Sequence, residues 1–193
     1  MIKAIIFDCF GVLVTEGWLA FKAEYFGKDP ELDRQAGDLN KQADAGLISH
    51  EAFVQSVAKL AGISVADVNK AIDVNAANEA LFTYINTQLK PDYKIGMLSN
   101  AAANWLQDLF TPEQRKLFDA VSLSYEAGFI KPHHRAYEII AHQLKVEVEA
   151  CVFIDDQARH CDGAKAAGMR AILYKDFEQM KAELEKILAD SER

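Results

Sequence analysis

Three carboxylates, a hydroxyl, an amide and one lysine fall where short apolar runs stop. Asp8 closes the run Ala4–Phe7, and Ser99 with Asn100 closes Lys94–Leu98. Asp155 with Asp156 closes Ala150–Ile154, and Lys131-Pro132 follows the weaker run Ala120–Leu123. Carboxylates brought together repel one another unless a positive group joins them. A hard, oxygen-preferring divalent ion such as Mg²⁺ meets that need. Lys131 and Ser99 would then face anionic oxygens of a substrate as donors. The set is suited to nucleophilic attack by a carboxylate on an electrophile whose negative charge must be quenched.

The elements that must position these residues follow from the pattern. Ile5 and Ile6 favour a strand, and apolar residues on both alternations bury both of its faces. The runs 94–98, 150–154 and 170–174 read the same way, with 120–123 as a fifth strand. Between them lie helical patterns at 135–144, 162–168 and 176–188, the last opened by Asp176 as an N-cap. This alternation predicts an α/β fold with a parallel sheet covered on both faces. Residues 15–81 lack such strands and read as helical, with Ser49 and Ser64 as possible helix starts. The expected organisation is an α/β core from 1–14 and 82–193, interrupted by a helical insert at 15–81. In an open parallel sheet the carboxyl ends of the strands converge on the ligand crevice, which is where the polar residues fall.

Composition narrows the function. The 193 residues carry 21 Lys and Arg against 29 Asp and Glu, a net charge of −8. That argues against a broad nucleic-acid surface or an anionic membrane as partner. No apolar stretch reaches the length of a membrane span. Met1–Asp8 is too short for the apolar core of a signal peptide. Cys9, Cys151 and Cys161 form no CxxC pair, so a reducing, cytoplasmic location is expected.

Four segments resemble the four motifs of the haloacid-dehalogenase-like hydrolase superfamily: Phe7-Asp8-Cys9-Phe10-Gly11-Val12-Leu13, Met97-Leu98-Ser99-Asn100, Ile130-Lys131-Pro132 and Phe153-Ile154-Asp155-Asp156. Their order and spacing fit, with 91 residues from Asp8 to Ser99, 32 to Lys131 and 24 to Asp155. The insert is similar to the family's small helical cap, and the whole to its epoxide-hydrolase-N-terminal-like phosphatase branch. The resemblance implies a three-layer Rossmann-like sheet with an inserted cap. It implies Asp8 as a nucleophile that forms an aspartyl-phosphate, later cleaved by water. Mg²⁺ would be held by Asp8, the Phe10 carbonyl, and Asp155 or Asp156. Ser99 and Lys131 would hold the transferring oxygens, and Asn100 would support that loop or touch substrate. The implied substrate is a small phosphorylated metabolite; no signal for an oligomeric state is present.

One position departs from the family pattern. Two residues after the nucleophile, where relatives carry a second aspartate that acts as general acid and base, this chain has Phe10. Such assistance is worth about 10²–10⁴-fold. Three readings compete: a phosphatase that does without that acid or draws a proton from a cap residue or water, a 2-haloacid dehalogenase, and a catalytically weak or inactive binding or regulatory protein. Asp155-Asp156 resembles the Mg²⁺ form rather than the dehalogenase form. Among the remaining residues, Trp18 and Trp105 are read as packing residues, with Trp18, near the hinge into the insert, alternatively lining the site entrance. His160 is read as a brace for the metal loop or a surface residue, His133 and His134 as an exposed helix start, and the cysteines as structural.

Overall fold

The computed structural model describes residues 1–15, 17–72 and 76–191. Five parallel strands form one sheet: β1 (Ala4–Phe7), β2 (Lys94–Ser99), β3 (Ala120–Leu123), β4 (Cys151–Asp155) and β5 (Arg170–Leu173), in the order β3-β2-β1-β4-β5. The apolar alternation of β1 divides between two cores. Ile5 and Phe7 face one side, with Ile95, Met97, Val152 and Ile154. Ala4 and Ile6 face the other, with Leu98, Cys151 and Phe153. Helices close both faces, giving three layers and the predicted α/β architecture.

The insert follows β1. Helices α1 (Gly17–Phe26), α2 (Pro30–Asp44), α3 (His50–Ala61) and α4 (Val65–Ile72) gather around Phe21, Phe26, Phe53, Val54, Val57 and Val68, a hydrophobic cluster of their own. Local chemistry sets the helix ends. Asp29 accepts from the backbone N–H of Glu31 and Leu32, with Pro30 at the first position of α2. Ser49 caps α3 as its sequence suggests, and Gly62 ends it with φ of 70°. Ser64 accepts from the N–H of Asp67 at the start of α4.

A narrow neck joins insert to core. Thr15 N donates to Ala76 O at 3.0 Å, Ala76 N to Thr15 Oγ1 at 2.8 Å, and Asn78 N to Leu13 O at 2.8 Å. Asn78 also caps α5 (Glu79–Tyr84) and bonds the Tyr174 hydroxyl. Leu81 packs in the core beside Phe82. The chain therefore rejoins the core at Asn78, a few residues before the Phe82 boundary read from sequence, because the cap of α5 is tied to the loop after β1.

After β2 come the short helices α6 (Leu106–Leu109) and α7 (Pro112–Arg115), and after β3 the short helix α8 (Ser124–Ala127). Helix α9 (His134–Leu144) covers the predicted 135–144, and α11 (Phe177–Ser191) begins after the Asp176 cap, which accepts from Gln179 N at 2.8 Å. Helix α10 (Ala158–Ala166) starts four residues earlier than the sequence pattern suggests. Its first turn is polar and carries no apolar stripe, because it grows directly out of the loop that presents Asp155 and Asp156. Gly163 thus lies inside the helix. A Cβ there would come within 2.6 Å of Pro132 Cβ and 2.9 Å of both Pro132 O and Tyr137 Oη. The missing side chain lets α10 press against the segment that carries Lys131.

Gly163→Ala is expected to cost about 1–3 kcal/mol by overpacking, despite the better helix propensity of alanine. Urea denaturation of the variant beside the wild type checks this, and an unchanged midpoint would mean that the contact relaxes freely.

Candidate active site

Strand register sets the site. Phe7 pairs with Met97 on one side and Ile154 on the other, so Asp8 and Asp155 emerge side by side and Ser99 lies one residue further along β2. All three are buried. Lys131 enters from the loop after β3, and its Nζ lies 2.7 Å from Asp8 Oδ1 and 2.7 Å from Asp155 Oδ2. Asn100 delivers it there: its Oδ1 accepts from Lys131 N at 2.7 Å and its Nδ2 donates to Lys131 O at 3.1 Å. Asn100 therefore positions Lys131 while also lining the cavity described below.

Asp155 is surrounded by donors. Beyond Lys131, it accepts from Gln157 N at 2.8 Å, and His160 Nδ1 lies 3.1 Å from both its oxygens. Burial alone would raise its pKa, but Lys131 and His160 overrule burial and hold Asp155 well below the usual carboxylate range. Burial lowers His160, so its ring is neutral and its Nδ1–H donates to Asp155. His160 is thus a brace, as one of its two sequence readings has it. Burial acts against a charged Lys131 as well, yet the two carboxylates more than offset it and raise its pKa. Burial and the neighbouring Asp155 charge push Asp8 upward, only partly countered by Lys131.

Two carboxylates thus share one ammonium, and a third stands close by. Asp156 lies against the loop after β1: a Cβ on Gly11 would sit 2.4 Å from Asp156 Oδ2, and Gly11 has φ of 82°. Asp156 Oδ1 is buried with no hydrogen-bond partner. Burial and Asp155 also raise the Asp156 pKa. An orphaned acceptor in a site with an excess of negative charge is what a hard divalent cation would complete. Asp8, Asp155 and His160 also offer ligand atoms within 4.8 Å of one another. Two of that trio, however, already flank the Lys131 ammonium, whereas Asp156 has an acceptor to spare.

A cavity of about 420 Å³ opens over Asp8, Ser99 and Lys131. The core supplies Phe10 and Trp105, whose rings meet edge to face at 5.1 Å. The insert supplies Trp18, Asn40, Asp44 and His50. Trp18 lines the cavity and also stacks on Phe21 at 6.0 Å. His133 and His134 are exposed at the start of α9, and the three cysteines are buried. Burial pushes the Cys151 thiol up to about 12 and Cys161 up to about 11. Sequence reasoning missed Asn40, Asp44, His50 and Arg159 as cavity residues. Asn40, Asp44 and His50 lie in polar helical stretches with no strand end to mark them, and only the docking of the insert brings them in, whereas Arg159 sits in the polar first turn of α10, which no apolar pattern marks.

The opposite pKa directions of the two aspartates predict opposite mutational signs. Asp155→Asn leaves a buried ammonium short of a counter-charge and is expected to cost about 3–5 kcal/mol. Asp8→Asn, in chelator, is expected to raise stability at neutral pH, since the fold resists ionising Asp8. For Asp8, with its folded pKa raised, stability falls as pH climbs from its ordinary 3.8 through the raised value. For Asp155, with its folded pKa depressed, the contribution is complete above the ordinary carboxylate range and is lost as pH falls. Urea midpoints of the wild type and both variants, from about pH 2 to about pH 8, read these signs.

Residues 2–168 match the family described as haloacid dehalogenase-like hydrolase. A stretch of 85 residues is 40% identical to a phosphatase of Mycobacterium tuberculosis, covering 42% of this chain and 38% of that protein. Another of 127 residues is 29% identical to bifunctional epoxide hydrolase 2 of Sus scrofa, covering 62% of this chain and 22% of that protein. The chain thus spans well under half the length of either curated relative. The fold is similar to that of a haloacid-dehalogenase-family enzyme of Bacteroides thetaiotaomicron, crystallised with magnesium and inorganic phosphate. The TM-score is 0.71 at 22% identity, over 91% of this chain and 95% of that one. Among the described residues no helix is long and apolar enough to cross a membrane. With strand-end acids and lysine assembled as described and most of its length matched, the chain belongs to the haloacid dehalogenase-like hydrolase family.

Proposed function

We propose that the protein is a Mg²⁺-dependent phosphatase acting on a small phosphorylated metabolite, with Asp8 as nucleophile. The observation that carries this reading is the charge arrangement: a buried ammonium 2.7 Å from two carboxylates, beside a third carboxylate with an unpartnered oxygen. The phosphatase relative and the phosphate-bound structural neighbour support it.

Asp8, the Phe10 carbonyl and Asp156 would hold the ion, with Asp155 behind them anchoring Lys131. When bound, Mg²⁺ supplies positive charge that offsets the phosphoryl oxygens and keeps Asp8 ionised. Asp8 attacks phosphorus in line, forming a P–O bond as the ester P–O bond breaks. Lys131 and Ser99 donate to the oxygens on which charge accumulates. Asn100 keeps Lys131 in register during the transfer. Water then cleaves the aspartyl-phosphate, releasing phosphate and restoring Asp8. The helical insert acts as the cap over this site, and Trp18 and Trp105 enclose the non-reacting part of the substrate.

Turnover of a panel of phosphate esters is expected to need both Mg²⁺ and Asp8, with activity lost in EDTA and in Asp8→Asn. EDTA-resistant chloride release from 2-chloropropionate would instead identify a dehalogenase, and tight ligand capture without turnover a binding protein. Ser99→Ala provides a second probe. Among the described residues the hydroxyl makes only a 3.4 Å bond, to the Asn100 carbonyl, so its removal is expected to leave the fold intact. It is expected to lower kcat about 10²-fold.

A further inference from the structure

Hydrolysis of an unactivated ester requires proton traffic: the leaving alkoxide takes up a proton, and the attacking water gives one away. Most ionisable groups lining the cavity are already committed. Lys131 is locked between two carboxylates, and Asp155 is saturated with donors. His160 has its Nδ1 on Asp155, and its Nε2 is buried. Phe10, two residues after the nucleophile, has no proton to exchange. Arg159 stays charged, Asp108 is exposed on α6, and the His50 ring packs against Phe53 and Trp105.

Asp44 is different. It is the last residue of α2, and its side chain lines the same cavity as Asp8, Ser99 and Lys131. Its position is fixed to the core. Ser124 Oγ donates to the Asp44 carbonyl while accepting from Ala101 N at 2.9 Å, and Ala101 directly follows Ser99-Asn100. Asn40 Nδ2 donates to Asp44 Oδ2 at 3.0 Å, which leaves Oδ1, with no hydrogen-bond partner among the described residues, to carry a proton. The carboxyl end of a helix also disfavours a negative charge.

We propose that Asp44, carried by the insert, is the general acid that protonates the leaving oxygen and the general base that then activates water, an assignment that rests on the phosphatase reading above. In the first step Asp8 forms its bond to phosphorus, the bond to the ester oxygen breaks, and that oxygen takes the Asp44 proton, leaving Asp44 ionised. In the second, water attacks the aspartyl-phosphate, the bond from Asp8 to phosphorus breaks, and Asp44 recovers a proton from the water. The cycle balances with no other reactant. Burial pushes the Asp44 pKa up to about 7, with Lys131 and Arg159 pulling the other way, so both forms are populated near neutrality.

The test compares wild type, Asp44→Asn, Asp44→Glu and His50→Gln on an alkyl phosphate and on 4-nitrophenyl phosphate, whose leaving group needs no proton. Asp44→Asn is expected to lower kcat/KM for the alkyl ester about 10²-fold or more, with KM little changed. For 4-nitrophenyl phosphate kcat/KM should change far less. There, an initial burst of 4-nitrophenolate should appear as the phosphoenzyme accumulates, because the water step has lost its base. In wild type, kcat/KM for the alkyl ester should fall above about pH 7, and that limb should vanish in Asp44→Asn. Asp44→Glu should recover part of the rate. Equal loss on both esters, an effect on KM alone, or selective loss in His50→Gln instead would overturn the assignment while leaving Asp8 as nucleophile. Activity that survives Asp8→Asn, or no turnover of either ester by the wild type, would overturn the phosphatase reading and this inference with it.

Discussion

The ammonium of Lys131, buried between Asp8 and Asp155, is the constraint on which the rest depends. A lone buried ammonium is too costly to keep charged, and two carboxylates this close repel each other. Each tolerates burial only because the other is present. Reaching that arrangement takes three strands in fixed register, a loop clamped by Asn100, and a helix that can approach because residue 163 has no side chain. The pairing also leaves a remainder. Asp8 keeps an elevated pKa, and Asp156 keeps an unpartnered oxygen. A site assembled for stability alone would have resolved both, for example by well-packed apolar residues of similar volume. On the proposed function, their persistence marks the places where a cation and an electrophile would complete the charge balance.

Much of this was legible in the sequence, for a physical reason. A strand buried on both faces must be apolar throughout, so a polar residue at its end stands out, and in a parallel sheet such ends are neighbours. Asp8, Ser99, Asp155 and Asp156 were visible in this way, and the strands with them. Lys131 is less obvious, since a lysine before proline is ordinarily solvated, and motif order was needed to read it. The start of α10 was hidden because its first turn is polar and carries no periodic apolar stripe. Gly163 carries no such signal either, since its use is to admit Pro132 and Tyr137 across the fold.

The insert was legible only as helix. Its own core could be anticipated from apolar spacing, but its face toward the site could not. Asp44 sits in a polar stretch, Asp38 to Asp44, that reads as an ordinary solvated helix end. Its burial comes from docking across a gap of eighty residues onto Ser124, a contact that no local pattern encodes. The same holds for His50 against Trp105. Residues that act through tertiary docking leave no periodic trace.

This difference suggests how labour is divided between the two parts. In the proposed reaction the core holds the nucleophile and the fixed positive charge at strand ends, where geometry is set by sheet register. The insert, joined by a narrow neck, carries Asp44. Phe10 is central to that division. A carboxylate in its place would keep the proton relay on the core and let chemistry proceed whether or not the insert is seated. With an aromatic ring there, packed on Trp105, the core offers no proton at that position. On the proposed assignment, proton delivery then depends on the hydroxyl of Ser124 meeting the end of α2, so the docked insert would both enclose the substrate and complete the reacting set. In the proposed reaction hydrolysis is thereby tied to the docked insert, which would enclose the substrate and confine the acid to the enclosed site.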